Sequence, residues 1–231
     1  IDGNPEWDLW RLDLRRFGAN YASQEYVRAR SVETYAKYYD IHYPNEERES
    51  ARGQRLSPAY QRLRELGAVF GEKTGWERPN WFAPYADAAD HGHEPRGWAR
   101  YHWSPAIGVE HQGTRERAGL FDETSFSKID VRGRGAVDLL QHLCANDIDR
   151  PVGTVIYSSM LNPRGGIECD FTVTRLGPDH FRIITGTAFG QHDLSWIHMN
   201  LLGDGSVSTE DVTGTYACFG LWGPRARLIL R

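Results

Sequence analysis

The chain contains little cysteine, and its cysteines show no pairing pattern. Among its 231 residues there are three, Cys144, Cys169 and Cys218. An odd number of widely spaced thiols without a C-x-x-C pair argues against a structural zinc site, a dithiol redox motif and a disulfide framework. We therefore expect a reducing compartment, which means the cytoplasm or, in a eukaryote, the mitochondrial matrix.

The sequence also lacks long apolar runs and any excess of positive charge. No apolar run approaches the roughly 18 residues of a membrane span, and residues 1–5 resemble neither a signal peptide nor a transit peptide. The 27 basic and 31 acidic side chains are spread along the chain and give a formal net charge of −4. Because a protein needs a basic stripe to neutralise nucleic-acid phosphates, we expect no nucleic-acid partner. Because long apolar runs are absent, we expect a soluble chain without a membrane partner.

The composition does provide enough apolar material for a folded core. Apolar side chains make up 40% of the residues, and eight of them are Trp. This predicts one large or two small globular domains. The sequence begins without Met and stops at Arg231 inside an apolar segment, residues 227–231. Both features lead us to expect a piece of a longer protein.

The N-terminal half is predicted to be helical and then irregular. Apolar periodicity predicts helices over residues 8–17 and 24–38. A third helix is predicted with Ser57 as N-cap, Pro58 in its first turn and Gly67 as C-cap. Residues 71–103 are rich in Trp but show no helical or strand period, which predicts an ordered loop packed by aromatic side chains.

The C-terminal half is predicted to be α+β. Ala136, Leu140 and Leu143 share one face of a predicted helix, and Gly165-Gly166 marks the bend of a hairpin. In chain order the predicted elements are a helix over 106–119, a strand over 127–131, a helix over 136–144, strands over 155–161, 167–175 and 180–185, and a helix over 188–202.

Asp170 is the residue best placed for chemistry. A period of two in the predicted strand puts Cys169 and Phe171 on one face and Asp170 on the other. Asp170 then faces away from the core, beside a Gly-Gly turn that a ligand could approach closely. Such a carboxylate can accept a hydrogen bond from a ring N–H, or take a proton from an amine as a bond forms at that nitrogen. Spacing alone favours the alternative, a solvated strand face.

Three other patterns carry less information. Gly133-Arg-Gly135 follows a strand, but Asp138 occupies the third glycine position of a dinucleotide fingerprint, so no nucleotide site is expected. The Asp and His cluster at residues 90–94 has no obvious further ligand, which favours an exposed loop over a metal site. Thr187 lies between a strand and a helix, either as a simple N-cap or where free helix N–H groups meet a polar ligand.

Several longer motifs carry a family resemblance over nearly the whole chain. Ser57-Pro58-Ala-Tyr60 and the string Gly75-Trp-Glu-Arg-Pro-Asn-Trp-Phe82 resemble the middle region of dimethylglycine and sarcosine dehydrogenases or oxidases. From Gly119-Leu-Phe-Asp122 to Gly223-Pro224-Arg-Ala226, the chain is similar to the aminomethyltransferase (glycine-cleavage T-protein) folate domain. Trp10 to Phe17 resembles the last helix of the flavin domain in the same enzymes.

The resemblance implies an α+β fold in three parts. Residues 1–25 would be the C-terminal tail of an FAD-dependent oxidoreductase domain, 26–104 a helical central connector domain, and 105–231 the N-terminal part of a T-protein-like folate-binding domain. That last domain would be incomplete, because the folate domain of the family continues well beyond Arg231.

The resemblance also implies a function. In the family, FAD on a segment outside this sequence oxidises an N-methyl amine, and the folate domain captures the one-carbon unit on tetrahydrofolate as 5,10-methylenetetrahydrofolate. Asp170 matches the aspartate that engages the pteridine and N10 region, and Tyr157 matches a pocket tyrosine. Thr187 joins them as a cofactor-binding candidate. Electrons would pass to oxygen or to an electron-transfer flavoprotein, and this chain alone is expected to have no dehydrogenase activity.

Two rival functions stay open. One is a non-redox regulatory or scaffold member of the same family, against which the intact Asp170 and Tyr157 argue. The other is a flavin-independent, folate-dependent demethylase, which would not need residues 75–82 or the flavin-domain tail.

Overall fold

The described residues form two compact units. A computed structural model describes residues 9–43, 46–88 and 104–231. The first unit combines Phe126–Tyr216 with the described part of Ile1–Gly18, and the second combines the described parts of Ala19–Ser125 with Ala217–Arg231. The predicted α+β class is confirmed. Within these described ranges, no helix is long and apolar enough to span a membrane.

The helices and strands alternate along most of the chain. In chain order they are α1 (Gln24–Ala36), α2 (Tyr60–Glu65), β1 (Ala68–Lys73), β2 (Trp76–Phe82), α3 (Ala106–Glu116), β3 (Gly119–Asp122), β4 (Ser127–Arg132), α4 (Ala136–Leu143), β5 (Val155–Leu161), β6 (Ile167–Gly177), β7 (His180–Thr185), α5 (Gly190–Met199), β8 (Ser208–Asp211), β9 (Phe219–Trp222) and α6 (Ala226–Ile229).

A five-stranded antiparallel sheet organises the first unit, with strand order β5-β6-β7-β4-β8. One face of this sheet is apolar, because alternate residues of β6 and β7 such as Phe171, Val173 and Ile183 are buried. Leu140 of α4 and Ile197 of α5 belong to the same buried cluster. Burial of one face per strand therefore sets the core, as the alternating sequence pattern predicts.

Two glycines allow close backbone approach in this unit. Gly133 has φ +124, and a Cβ there would clash with the carbonyl oxygen of Ser206. A Cβ on Gly190, the first residue of α5, would lie 2.5 Å from the Cβ of Ser127 on β4. Close backbone packing therefore explains the Gly-Arg-Gly sequence at 133–135 without a bound nucleotide.

The second unit depends more on ion pairs than on apolar burial. Among its described residues, the fully buried apolar side chains are Tyr26, Trp76 and Ala106. Arg52 contacts Glu77 of β2 at 2.5 Å, and it also donates to the backbone carbonyls of Phe70 on β1 and of Arg48. These contacts fasten the preceding loop onto the β1–β2 hairpin.

Glu33 on α1 is the acidic centre of another such cluster. Burial raises the pKa of Glu33, but hydrogen bonds from the Ser50 hydroxyl and from the Glu49 and Ser50 amides outweigh that effect and lower the pKa to about 2. Arg30 and Lys37 lie within ion-pair distance of the same carboxylate. The ionised form of Glu33 is therefore the one that the folded unit favours.

Several predicted elements need correction. Residues 10–16 form two 3₁₀ turns, Trp10–Leu12 and Leu14–Arg16, because the Asp13 carboxylate caps the second turn by accepting from the Arg15 amide at 2.8 Å. Residues 71–103 were predicted to be a loop, and over residues 71–82 this prediction is wrong. There β1 and β2 pair around a turn with positive φ at Thr74 and Gly75. The short strands β3, β8 and β9 were not predicted.

The helix ends also differ from the predictions. The third helix begins at Tyr60 with Ala59 as N-cap, although the Ser57 hydroxyl still accepts from the Ala59 amide at 3.2 Å. The C-cap of this helix is Leu66, one residue before the predicted Gly67, and Gly67 follows it with φ +83. The metal-like cluster at residues 90–94 lies outside the described residues.

Two isoleucines in neighbouring strands provide a test of this core. Ile183→Ala empties a site that is 0% exposed, so we expect a loss of about 2 to 5 kcal/mol in the free energy of unfolding. Ile167→Ala changes the same side chain at a site that is 70% exposed, and we expect a change of about 0.5 kcal/mol or less. Denaturant unfolding of both variants would measure the difference; equal losses would contradict the assigned sheet faces.

Acid should selectively weaken the Glu33 cluster. Because the folded pKa of Glu33 is depressed to about 2, its stabilising effect is complete above the ordinary value of 4.5 and is lost as the pH falls from 4.5 through about 2. Glu33→Gln should therefore be less stable than the parent chain at neutral pH, with a gap that closes over that window. Glu25→Gln, an exposed change on the same helix, is the control; a gap that does not depend on pH would argue against the mechanism.

Candidate functional site

The candidate site lies on the polar face of the sheet formed by β5, β6 and β7. Cys169 and Phe171 point into the core, so Asp170 between them is exposed on the opposite face. The cross-strand pairs Ser159 with Asp170 and Tyr157 with Thr172 place the side chains of these residues on that same face. The predicted orientation of Asp170, away from the core, is thus what the structure has.

Asp170 and Tyr157 form a hydrogen-bonded pair. The Tyr157 hydroxyl donates to Oδ2 of Asp170 at 2.7 Å, along the diagonal between two β5–β6 pairs. Tyr157 is 64% exposed, so one side of its ring is open to a ligand. The other carboxylate oxygen of Asp170 can still accept a hydrogen bond from outside the protein.

The electrostatic effect of this pair falls on the tyrosine. The hydrogen bond to Asp170, and next the charge of that carboxylate, raise the pKa of Tyr157 above its ordinary value. Tyr157 therefore stays protonated over the physiological range and acts as a donor. The arrangement offers an anionic acceptor and an aromatic surface side by side.

The turn beside Asp170 is rigid. Oδ1 of Asn162 accepts from the backbone amides of Arg164 at 3.0 Å and Gly166 at 2.9 Å. Gly165 adopts φ +79, and a Cβ there would meet no atom within 4 Å. Asn162 thus fixes the shape of the bend, and the space beside Gly165 is open.

Thr187 lies close to Asp170 in the chain fold but does not cap a helix. The β6–β7 register pairs Thr172 with Ile184 and, continued by two residues, places Gly186 opposite Asp170. Helix α5 begins at Gly190 with Phe189 at the N-cap position, so the predicted start at residue 188 and the N-cap alternative for Thr187 are both wrong. Thr187 occupies the turn between β7 and α5.

Sequence reasoning missed a buried carboxylate behind Asp170. Asp193 of α5 is 0% exposed and accepts a hydrogen bond from the Thr185 hydroxyl at 2.6 Å. The neighbouring His192 lies with Nδ1 2.9 Å from Oδ1 of Asp193. An acidic residue in the first turn of a helix that follows a core strand was the available signal.

The thiols of this unit are not poised for chemistry. Burial raises the pKa of Cys144 to about 12. Burial, and next the charge of Asp193, also raise the pKa of Cys169. Both side chains therefore stay as thiols and are poor nucleophiles. No group of three His, Cys, Asp or Glu that could hold a metal occurs among the described residues.

Comparison with protein families identifies the domain that contains this site. The model of the GCVT N-terminal domain matches residues 59–231, well over half of the chain. The chain belongs to the GCVT N-terminal domain family. The model of the FAD dependent oxidoreductase central domain matches residues 2–57, ahead of the GCVT domain. The boundaries predicted at residues 25 and 104 stay predictions.

Curated relatives contain both regions in the same protein. The chain is 34% identical over 230 residues to 4-methylaminobutanoate oxidase (formaldehyde-forming) of Paenarthrobacter nicotinovorans, covering 100% of this chain and 27% of that protein. It is 34% identical to the mitochondrial pyruvate dehydrogenase phosphatase regulatory subunit of Mus musculus, covering 98% and 26%. It is 34% identical to the mitochondrial dimethylglycine dehydrogenase of Mus musculus, covering 100% and 26%.

These matches confirm the resemblance to the N-methyl amine dehydrogenases, and the chain spans about a quarter of the length of these relatives. Among solved structures, the aminomethyltransferase T of the glycine cleavage system from Bartonella henselae superposes with a TM-score of 0.61 and 26% identity, covering 77% of this chain and 43% of that one. The T-protein-like fold of the GCVT domain is therefore confirmed.

Replacing Asp170 should be visible at Tyr157. In Asp170→Asn the acceptor loses its charge, so we expect the raised pKa of Tyr157 to fall towards the ordinary tyrosine value. The chain would be labelled with 3-fluorotyrosine and titrated by fluorine NMR, with Tyr157→Phe to assign the signal. Asp138→Asn, an exposed change on α4, is the matched control. An unchanged titration in Asp170→Asn would show that the pair does not form in solution.

Proposed function

We propose that this chain is part of an FAD-dependent N-methyl amine dehydrogenase or oxidase, and that it carries part of the site that captures the released one-carbon unit on tetrahydrofolate. The product would be 5,10-methylenetetrahydrofolate. The observation that supports this is an exposed Asp170 carboxylate, paired with Tyr157, on the polar sheet face of a GCVT domain.

The residues at this face suit a reduced pterin. A carboxylate accepts hydrogen bonds, and the pterin ring edge and N10 of tetrahydrofolate supply N–H donors. The exposed ring of Tyr157 offers a surface on which a flat heterocycle can pack. We assign Asp170 as the hydrogen-bond acceptor and general base, Tyr157 as pocket wall and donor, and Thr187 as a further contact.

The chemistry divides between two cofactors. FAD would supply the two-electron oxidation of the N-methyl group on a part of the protein outside this sequence. The residues of this chain would orient tetrahydrofolate and receive the proton that leaves its nitrogen as the new carbon–nitrogen bond forms, on the oxygen of Asp170 that Tyr157 does not engage. Holding that nitrogen in one position is the larger contribution, because orientation removes much of the entropic barrier.

The remaining features of the whole enzyme follow from its relatives by analogy. The substrate would be a small N-methyl amino acid, and the electron acceptor oxygen or an electron-transfer flavoprotein. The location would be the mitochondrial matrix in a eukaryote and the cytoplasm otherwise; the word "mitochondrial" in the name of the murine relative supports the organelle.

A regulatory function is the second candidate, because one relative at 34% identity is named as a phosphatase regulatory subunit. The name of the Paenarthrobacter relative includes "formaldehyde-forming", which describes a one-carbon unit set free by that protein. Folate binding is therefore the property that most directly separates these functions.

Calorimetric titration with 5-formyltetrahydrofolate, a stable reduced folate, tests the proposal. We expect the chain to bind it, and Asp170→Asn to weaken binding about tenfold or more, since a hydrogen bond to a charged group contributes about 1.5 to 3 kcal/mol. Tyr157→Phe should weaken binding less, because the carboxylate remains.

The control is again Asp138→Asn, which should bind like the parent chain. Equal affinity of the Asp170→Asn and parent chains would remove Asp170 from the site. Absence of binding by the parent chain, repeated with a longer protein that includes the oxidoreductase region, would favour the regulatory function. Flavin content of that longer protein would decide between a redox enzyme and a regulator.

A further inference from the structure

The strand segment that carries Asp170 is held from behind by the start of helix α5. Three consecutive residues of β6 are involved, Glu168, Cys169 and Asp170, and two consecutive residues of α5 face them, His192 and Asp193. The contacts run through side chains on the core side and the end of the sheet. They lie in one compact unit.

Asp193 is the centre of these contacts. Its carboxylate is 0% exposed and accepts a hydrogen bond from the Thr185 hydroxyl at 2.6 Å. Its charge also contributes to the raised pKa of Cys169 on β6. The same Thr185 oxygen lies 3.5 Å from the carbonyl oxygen of Asp170. The backbone of Asp170 thus rests against a hydroxyl whose position is set by Asp193.

His192 links Asp193 to Glu168, two residues before Asp170 on β6. Its Nδ1 lies 2.9 Å from Asp193, and its Nε2 lies 3.8 Å from Oε2 of Glu168. Glu168 in turn accepts from the Asn162 side chain at 2.8 Å, and Asn162 shapes the bend beside the candidate site. The contacts therefore hold residues 168–170 of β6, on the side of Asp170 that leads into the bend.

The N-terminal segment covers the outer end of this cluster. The ring of Trp10 meets the His192 ring edge to face, with centroids 4.9 Å apart. Trp10 belongs to the region that matches the FAD dependent oxidoreductase central domain, whereas His192 belongs to the GCVT domain. This aromatic contact limits the rotation of the imidazole between its two carboxylates.

Stability alone is a poor reason for such an arrangement. A wholly buried carboxylate is expensive to desolvate, and apolar residues of similar volume often stabilise a core at least as well. The neighbouring core positions on β6 and β7 are indeed apolar, as at Phe171 and Ile183. Among the buried residues of β6 and β7, Thr185 is the polar one, and its hydroxyl oxygen lies 3.5 Å from the carbonyl oxygen of Asp170.

We propose that Thr185, Asp193, His192 and Glu168 are positioning residues, which fix the β6 backbone so that the Asp170 carboxylate is held at the Tyr157 hydroxyl. The consequence for folate rests on the function proposed above. The positioning itself does not, because the Asp170–Tyr157 hydrogen bond exists in the protein without a ligand.

A conservative pair at Thr185 gives the sharpest test. Thr185→Val keeps the shape of the side chain and removes the hydroxyl, whereas Thr185→Ser keeps the hydroxyl. In the 3-fluorotyrosine-labelled chain, the titration midpoint of Tyr157 reports the hydrogen bond to Asp170. We expect Thr185→Val and Asp193→Asn to move that midpoint at least halfway towards the value of Asp170→Asn, and Thr185→Ser to keep the midpoint of the parent chain.

The expected shifts of the Tyr157 midpoint can be distinguished from general unfolding of a variant and from a failure of the proposed folate binding. If Asp193→Asn does not fold, the two Thr185 variants still test the positioning role. His192→Gln also tests it, because glutamine keeps polar side-chain atoms but has a shorter reach than histidine. Folded Thr185→Val with the parent midpoint, or Thr185→Ser shifted as far as Thr185→Val, would overturn the positioning role. If neither this chain nor the longer protein binds 5-formyltetrahydrofolate, the proposed function fails, and the expected midpoints would still uphold the positioning role. Folate binding together with the parent midpoint in Thr185→Val would overturn the positioning role and leave the proposed function standing.

Discussion

Burial of alternate residues of β6 is the constraint on which the candidate site depends. Cys169, Phe171 and Val173 fill one face of the strand and pack against α4 and α5. Because side chains alternate along a strand, that burial forces Asp170 to the other face. A slip of one residue would exchange the two sets, burying a carboxylate and exposing a phenylalanine. The free energy of the core therefore determines which side of the sheet has the acidic group.

The two units achieve their stability in different ways. The first has a contiguous apolar core behind its sheet, and Asp130 of β4, which alternates with the core residues Ile129 and Val131, is fully buried on the other face. Burial would raise the pKa of Asp130, but hydrogen bonds from Arg182, Arg132 and His180 outweigh burial and hold the pKa far below its ordinary value. The second unit has few buried apolar side chains among its described residues and relies on paired charges around α1 and the β1–β2 hairpin. Its stability should consequently respond more to pH and salt.

Local patterns in the sequence predicted what local physics decides. Strands β5 and β7 were predicted with their observed limits, because each is a short run rich in apolar and β-branched residues between turns that contain Gly or Pro. The β1–β2 hairpin was missed because Gly71 and Pro79 interrupt that alternation, and only the pairing register reveals it. Strands β8 and β9 pair with partners far away in the sequence, which short-range periodicity does not report.

The candidate site divides in the same manner. Strand period and family resemblance were sufficient to single out Asp170 and Tyr157, and the structure brings their side chains together. His192 contacts Glu168 of β6, 24 residues earlier, and Asp193 contacts Thr185 of β7, so only tertiary packing makes these contacts visible. Thr187 was placed two residues too close to the helix, because α5 was predicted to start at residue 188 and begins at Gly190.

The packing that positions His192 and Asp193 requires a glycine at position 190. The first turn of α5 sits against Ser127 with no room for even a methyl group, and His192 and Asp193 follow within that turn. Any side chain at position 190 would push the start of α5 away from Ser127, and Asp193 would move with the helix. The packing distance between α5 and β4 on the core side therefore determines how accurately the Asp170 carboxylate is positioned on the opposite face. That distance depends on the absence of a Cβ atom at Gly190.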